Sequence, residues 1–285
     1  MPTKRKPDSP THLIGEGLIA WRWTPRAAGR RGAARHLLDC WPQVAHAIRS
    51  APRWALFIDF DGTLVALRRR PSDVKPLDIP LRRVLRRLAG HKGLSLYVIS
   101  GRPLTQLRRL VPVRAVELLG LHGWEGRDVS PLTEERRLVR LARQRLNQLL
   151  SKMTQIQLED KGLGLAVHYR GASPPVVRQA RAIVLDVLRA LGPRIHLLRG
   201  LKVWELLPHQ INGKGSAVSA LLPKLPKHTL AIFVGDDTTD ESAFKVLPRG
   251  LTIRVGQNRR TKARYFLRNP EEVKMFLLKL EAAIV

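Results

Sequence analysis

Cysteine is nearly absent from this 285-residue chain. The single one, Cys40, excludes an intramolecular disulfide and fits a reducing compartment, so a cytoplasmic setting is expected. No Cys or His pattern surrounds it, and it reads as a small buried apolar residue. Long hydrophobic runs are missing as well. No window approaches about 18 uncharged apolar residues, which argues against a transmembrane helix and a membrane partner. Acidic residues are scarce: 23 Asp+Glu stand against 51 Lys+Arg, a formal net charge of +28. Such a field attracts polyanions and small anionic substrates. The basic residues are nevertheless spread along the chain in pairs such as Arg82-Arg83, Arg108-Arg109 and Arg259-Arg260. No basic motif interleaved with aromatics and no nucleic-acid module is present, so nucleic acid is not the expected partner. Repeats and low-complexity segments are also lacking. The apolar share is ordinary, enough for one large domain or two modest ones.

The chain is organised around Trp54 to Leu64. Five apolar residues, Trp54-Ala55-Leu56-Phe57-Ile58, run into Asp59-Phe60-Asp61-Gly62-Thr63-Leu64, which places two carboxylates one residue apart before Gly-Thr. So short an apolar run reads as a strand covered on both faces. Charge is then expected only where the strand leaves the sheet, at the rim where open α/β folds bind ligands. The plain alternative is an acidic turn. Two further runs behave alike: Leu94–Ile99 ends in Ser100-Gly101-Arg102, and Leu230–Val234 ends in Gly235-Asp236-Asp237-Thr238-Thr239-Asp240-Glu241.

Around these strands, Pro80–Ala89 has apolar residues at three- and four-residue steps and reads as a helix. The middle third has another texture. Long helical patterns cover Glu134–Leu150 and Pro174–Leu191, a looser strand pattern covers Gly162–Arg170, and Ile195–Leu198 with Leu201–Leu207 reads as a strand pair turning at Arg199-Gly200. This is the pattern of an α+β module inserted into an α/β core. The βαβ rhythm returns after Pro208, with a helix opened by Gly213-Lys214-Gly215, a strand at Leu251–Val255 and a closing helix from Pro270 to about Ala283. The expected division is an N-terminal extension at 1–50, loose or carrying a short helix over His36–Ile48, core segments at 51–120 and 209–285, and the inserted module at 121–208.

If the three charged strands lie parallel in one sheet, their ends meet on one rim, where Lys214 can join them. Clustered carboxylates with one fixed cation suit a hard divalent metal, and magnesium suits oxygen ligands combined with a phosphate. One carboxylate of such a site can attack phosphorus and form an aspartyl-phosphate, while metal and lysine offset the charge on the phosphoryl oxygens.

Asp-Phe-Asp-Gly-Thr-Leu, Ser-Gly-Arg, Lys-Gly and Gly-Asp-Asp-x-Thr-Asp-Glu, in this order and spacing, resemble the four-motif signature of the haloacid dehalogenase superfamily of phosphotransferases. That resemblance implies a Rossmann-like, doubly wound parallel-sheet core with an inserted α+β cap. It makes Asp59 the nucleophile and Asp61 the general acid/base. Ser100 and Lys214 become phosphate-holding groups, with Gly62, Thr63, Gly101 and Arg102 beside them. Asp59, the Asp61 backbone carbonyl and Asp236 become Mg²⁺ ligands, Asp237 a second, water-mediated one, and Asp240 a brace for the lysine or its loop. More narrowly, His122-Gly123-x-Glu125, Glu159-Asp-Lys161, His168-Tyr-Arg170 and Trp204-Glu205-Leu-x-Pro208 are similar to trehalose-6-phosphate phosphatases over residues 51–285. The implied substrate is a small phosphorylated disaccharide, contacted by His122, Glu159, Lys161, His168, Arg170 and Glu205. One departure is the longer approach to Lys214, His209-Gln210-Ile211-Asn212-Gly213. The rival expectations are another sugar phosphatase, acting on sucrose phosphate or a glycosyl-phosphoglycerate, and a non-catalytic anion- or nucleic-acid-binding protein on the same scaffold. Oligomeric state is left open.

Overall fold

The computed structural model describes residues 34–68, 70–127, 132–256 and 260–284. Three apolar strands form its centre: β2 (Arg53–Ile58), β3 (Leu94–Ile99) and β9 (Thr229–Gly235). With β1 (Arg35–His36), β4 (Glu117–Leu119), β10 (Leu251–Val255) and β11 (Tyr265–Leu267) they form a seven-stranded sheet in the order β1-β11-β10-β9-β2-β3-β4, every pairing parallel. A parallel sheet is buried on both faces, and β2 shows how. Leu56 and Ile58 enter one apolar cluster, Ala55 and Phe57 the opposite one. On the first face pack α1 (Trp41–Ser50), α2 (Ile79–Gly90), α3 (Leu104–Leu110) and α8 (Pro270–Ile284); on the second pack α6 (Gly213–Leu221) and α7 (Asp240–Val246). Helix α2 illustrates the local logic. Asp78 accepts a hydrogen bond from the Leu81 amide at 2.8 Å, Pro80 occupies the first turn, and Leu81, Val84, Leu85 and Leu88 turn inward.

The middle of the chain forms a second, antiparallel sheet of β5 (Gln157–Asp160), β6 (Leu165–His168), β7 (Ile195–Gly200) and β8 (Val203–Pro208), in the order β5-β6-β8-β7. Helices α4 (Thr133–Leu150) and α5 (Pro174–Leu191) share an apolar cluster with it. The architecture is the expected α/β fold, a parallel core with an inserted α+β unit. No helix among the described residues is long and apolar enough to cross a membrane.

Two expectations are refined. The short helix expected before residue 51 is present as α1, five residues later in its start, and packs on α8. An edge strand, β1, precedes it and pairs with β11, while Leu37, Val44 and Ile48 are fully buried. A two-residue strand has no periodicity to read, which hid this edge; residues 1–33 lie outside the described residues. The β7–β8 hairpin turns at Leu201-Lys202, with Lys202 at φ +63, and not at Arg199-Gly200, which stay paired with Trp204 and Val203. Gly200 sits in a close approach instead: a Cβ there would lie 2.8 Å from Val203 Cγ1 and 3.0 Å from the Asp237 carboxylate.

His36 fastens the β1 edge. Its ring lies 2.9 Å from Glu272 and 3.1 Å from Asp39. Burial works against the charged ring, but the two carboxylates outweigh it and raise its pKa above the ordinary 6.5. A raised histidine stabilises the fold fully below its unfolded pKa, and the contribution disappears as pH rises through the folded value. The melting temperature of wild type minus that of His36→Gln is therefore expected to be largest near pH ~6 and to shrink toward pH ~8.5. Scanning fluorimetry across that range tests this, and a flat or rising difference refutes it.

Candidate active site

Register brings the charged strand ends together. Ile58 pairs with Val98 on one side and Val234 on the other, so Asp59, Ser100 and Asp236 leave the sheet at one level. Lys214, in the first turn of α6, meets them there, 2.5 Å from Asp59 Oδ1 and 2.8 Å from Asp240 Oδ1. All three side chains are buried. Burial alone would lower the Lys214 pKa, but Asp240 and Asp59 raise it far above its usual value. A third carboxylate, Asp236, joins these two acids, with one oxygen of each within 4.8 Å of the others. The surplus negative charge has consequences: burial, then the neighbouring Asp240 and Asp236, hold Asp59 well above the usual carboxylate range despite Lys214, and burial followed by Asp240 pushes Asp236 up to about 7.

Asp236 Oδ1 is buried without a hydrogen-bond partner. Such an orphaned oxygen beside a second carboxylate fits a hard cation. Asp240 is otherwise engaged, since it pairs with Lys214 and accepts the Asp237 amide at 2.8 Å. Asp237, expected as a further ligand, lies outside the acidic cluster; its carboxylate accepts the Thr238 amide at 2.6 Å. Gly62 makes room for the site: it adopts φ +81, and a Cβ there would overlap the Asp236 carboxylate.

The remaining expected residues fall into two groups. On the core side, Arg102 grips Asp61 with two hydrogen bonds of 2.7 Å, and its backbone amide donates to Ser100 Oγ at 3.2 Å. Facing them, Lys161 donates to the Gly101 carbonyl at 2.9 Å and pairs with Glu205, whose other oxygen meets His122 Nε2 at 2.7 Å. Burial would raise the Glu205 pKa; Lys161 and His122 outweigh it and hold the carboxyl well below its usual range. Glu159 and His168 pair at 2.8 Å, and burial of Glu159 is likewise outweighed by His168 and Lys161. A cavity of about 150 Å³ is lined by Asp59, Asp61, Ser100, Gly101, Arg102, His122, Glu159, Lys161, His168, Arg170, Glu205, Lys214, Asp236 and Asp237. Gly62, Thr63 and Asp240 do not line it; Thr63 is fully buried.

Two supporting residues escaped the sequence reading. Arg254 on β10 donates to the Asp236 carbonyl at 2.6 Å and to Glu241 Oε1 at 3.1 Å, so its guanidinium fastens the backbone of the acidic loop. A lone cation in the buried strand Leu251-Thr-Ile-Arg-Val255 was the available signal. Thr238 donates from Oγ1 to the Arg199 carbonyl at 2.7 Å and ties the same loop to the end of β7.

Comparison with known proteins agrees with this arrangement. The trehalose-phosphatase family model matches residues 57–271. The chain belongs to the trehalose-phosphatase family. Among its relatives, the trehalose-6-phosphate phosphatase of Escherichia coli (strain K12) is 32% identical over 211 residues, covering 72% of this chain and 78% of that protein. The trehalose-phosphate phosphatase of Mycobacterium marinum is 30% identical over 283 residues, covering 89% and 69%. The C-terminal domain of C. albicans trehalose-6-phosphate phosphatase shares the fold with a TM-score of 0.74 at 22% identity, covering 88% of this chain and 99% of that one.

In this trehalose-phosphatase family member, Arg254→Met frees the acidic loop and is expected to reduce turnover by about tenfold or more, with Arg254→Lys intermediate. Steady-state kinetics on folded variants check this; equal rates for Met and Arg refute the clamp.

Proposed function

We propose that the protein is a Mg²⁺-dependent phosphatase that hydrolyses trehalose 6-phosphate to trehalose and phosphate through an aspartyl-phosphate on Asp59. The carrying observation is the buried Asp59 carboxylate, open to the cavity and held at 2.5 Å by Lys214. Membership of the family supports the substrate. Residues 121–208 are proposed as the cap, and a cytoplasmic setting fits the lone buried cysteine.

In the first step an Asp59 oxygen attacks phosphorus and the bond from phosphorus to the sugar oxygen breaks. Asp61 delivers a proton to that oxygen. Asp61 then takes a proton from a water that attacks the acyl-phosphate, the bond from phosphorus to Asp59 breaks, and phosphate leaves with Asp59 restored. Lys214 and Ser100 hold the phosphoryl oxygens. Asp59, Asp236 and the Asp61 backbone carbonyl would hold Mg²⁺, which supplies positive charge to the phosphoryl oxygens when bound. Proton transfer by Asp61 needs one of its oxygens free, so Arg102 exchanges Asp61 for the substrate in the reacting complex. The Lys161 contacts to Gly101 and Glu205 close the cavity, and substrate entry breaks them. Closure afterwards keeps bulk water from the acyl-phosphate.

Asp59→Asn is expected to abolish phosphate release while the protein stays folded, because Lys214 keeps Asp240 as a partner. A malachite-green assay with circular dichroism checks this; retained turnover removes Asp59 as nucleophile. Across a panel of phosphorylated sugars, trehalose 6-phosphate is expected to be turned over fastest, and parity with glucose 6-phosphate or sucrose phosphate defeats the narrower reading. Chelation is expected to silence the enzyme and added Mg²⁺ to restore it.

A further inference from the structure

Away from the reaction cavity, a cleft of about 440 Å³ lies where the chain passes from the core into the inserted unit. The two spaces share no lining residue. Its size falls within the roughly 300–1,000 Å³ of small-molecule pockets. Arg108 reaches it from α3 of the core, Trp124 and Arg127 from the crossover, and Arg136 and Arg140 from α4 of the inserted unit. Four guanidiniums thus face one concave space. Among the described residues a single carboxylate lines it, Glu125, and that one already accepts the Leu104 amide at 2.6 Å. Asp128, next in sequence, would still leave arginine in excess.

Solvated arginine is the ordinary state of a helix's outer face, and the exposed Arg83 and Arg86 of α2 are of that kind. The cleft differs from such a face. Its cations come from three separate segments and meet over one space. Arg136 and Arg140, four residues apart, stand about 5–6 Å from each other on one side of α4. Neither of them, nor Arg108, makes a side-chain hydrogen bond or ion pair with another described residue. Arg127 is half-buried and gives its Nε to the Gly123 carbonyl. Burial holds its pKa below the ordinary value, and no described acid offsets that cost.

Helix α4 adds to the positive field. Leu132 at its N-cap offers no acceptor to the first-turn amides. The two acids of that turn are engaged elsewhere, Glu134 with Arg137 at 2.7 Å and Glu135 with Arg194 at 3.4 Å. The floor is apolar: Trp124, Leu132 and Leu163 belong to the small cluster at the crossover. Guanidinium pairs with phosphate oxygens through two parallel hydrogen bonds. Four such groups, spread around a space of this size, exceed what one phosphate can engage and suit a chain of two or more.

We propose that this cleft binds a polyphosphate chain, free or as the tail of a nucleotide, which spans from α3 to α4 and ties the inserted unit to the core. The site stands apart from the phosphatase reading, since none of its residues serves the reaction.

Isothermal calorimetry on the whole protein, with tripolyphosphate in Mg²⁺-free buffer, tests this. Wild type is expected to bind one equivalent that excess orthophosphate, which fills the reaction cavity, does not displace. In Arg108→Ala/Arg136→Ala that equivalent is expected to weaken by about tenfold or more, the effect of losing two charged hydrogen-bonding groups. Turnover of the phosphorylated substrate stays unchanged and reports that the variant is folded. Arg140→Ala alone is expected to act in the same direction. Arg83→Ala/Arg86→Ala, which removes equal charge from α2, is expected to keep wild-type affinity. Absence of an orthophosphate-resistant equivalent in wild type overturns the site. Equal weakening in the two double variants does so too, because it marks a diffuse response to net charge. With the site upheld, ATP binding more tightly than tripolyphosphate assigns the apolar floor to a nucleotide base, and equal affinities assign the cleft to an inorganic chain.

Discussion

Lys214, 2% exposed, lies between two buried carboxylates, Asp59 and Asp240. Removing the lysine would cost about 3–5 kcal/mol, because the buried carboxylates left behind find no water. The arrangement therefore constrains much more than one side chain. Helix α6 must start where its first turn reaches the rim, β9 must end level with β2, and the acidic loop must fold back to return Asp240 to the lysine. The long approach through His209-Gln210-Ile211-Asn212 still delivers the ammonium there, with Ile211 buried.

The same triad leaves a charge imbalance that organises the chemistry. One ammonium cannot neutralise three acids, and Asp240 is taken by both Lys214 and the Asp237 amide. The excess rests on Asp59 and Asp236, the two oxygen donors turned to the cavity. Facing them, the carboxylate of Glu205 is neutralised on both sides by Lys161 and His122. The two walls thus differ: one is short of positive charge, while the other pairs its charges internally and spans the gap through a Lys161 contact to a backbone carbonyl.

Much of this was legible because a strand buried on both faces tolerates charge only at its ends. Asp59, Ser100 and Asp236 stood out for that reason, and the parallel register then brought them together. What stayed hidden depends on orientation and close approach. Consecutive loop residues point different ways, and of Asp236 and Asp237 only the first joins the acidic cluster. Gly200 carries the mark of a turn, yet it stays in the ladder opposite Val203, in a place where a side chain would crowd Val203 and the Asp237 carboxylate. Arg254 acts through backbone carbonyls, which leave no pattern of side chains to match. The edge strand at Arg35–His36 is too short for any periodicity.

The hydrogen bond from Thr238 to the Arg199 carbonyl joins two parts of the chain with separate tasks. Arg199 belongs to the sheet that covers the cavity, and Thr238 lies two residues from Asp236. In the proposed opening of the cap this loop loses that fixed point and keeps the grip of Arg254 and the bond from the Asp237 amide to Asp240. An open molecule thus holds its acidic cluster less rigidly than a closed one. Order at the reacting end is then greatest when the cavity is shut, so that shelter from solvent and readiness to react arrive together.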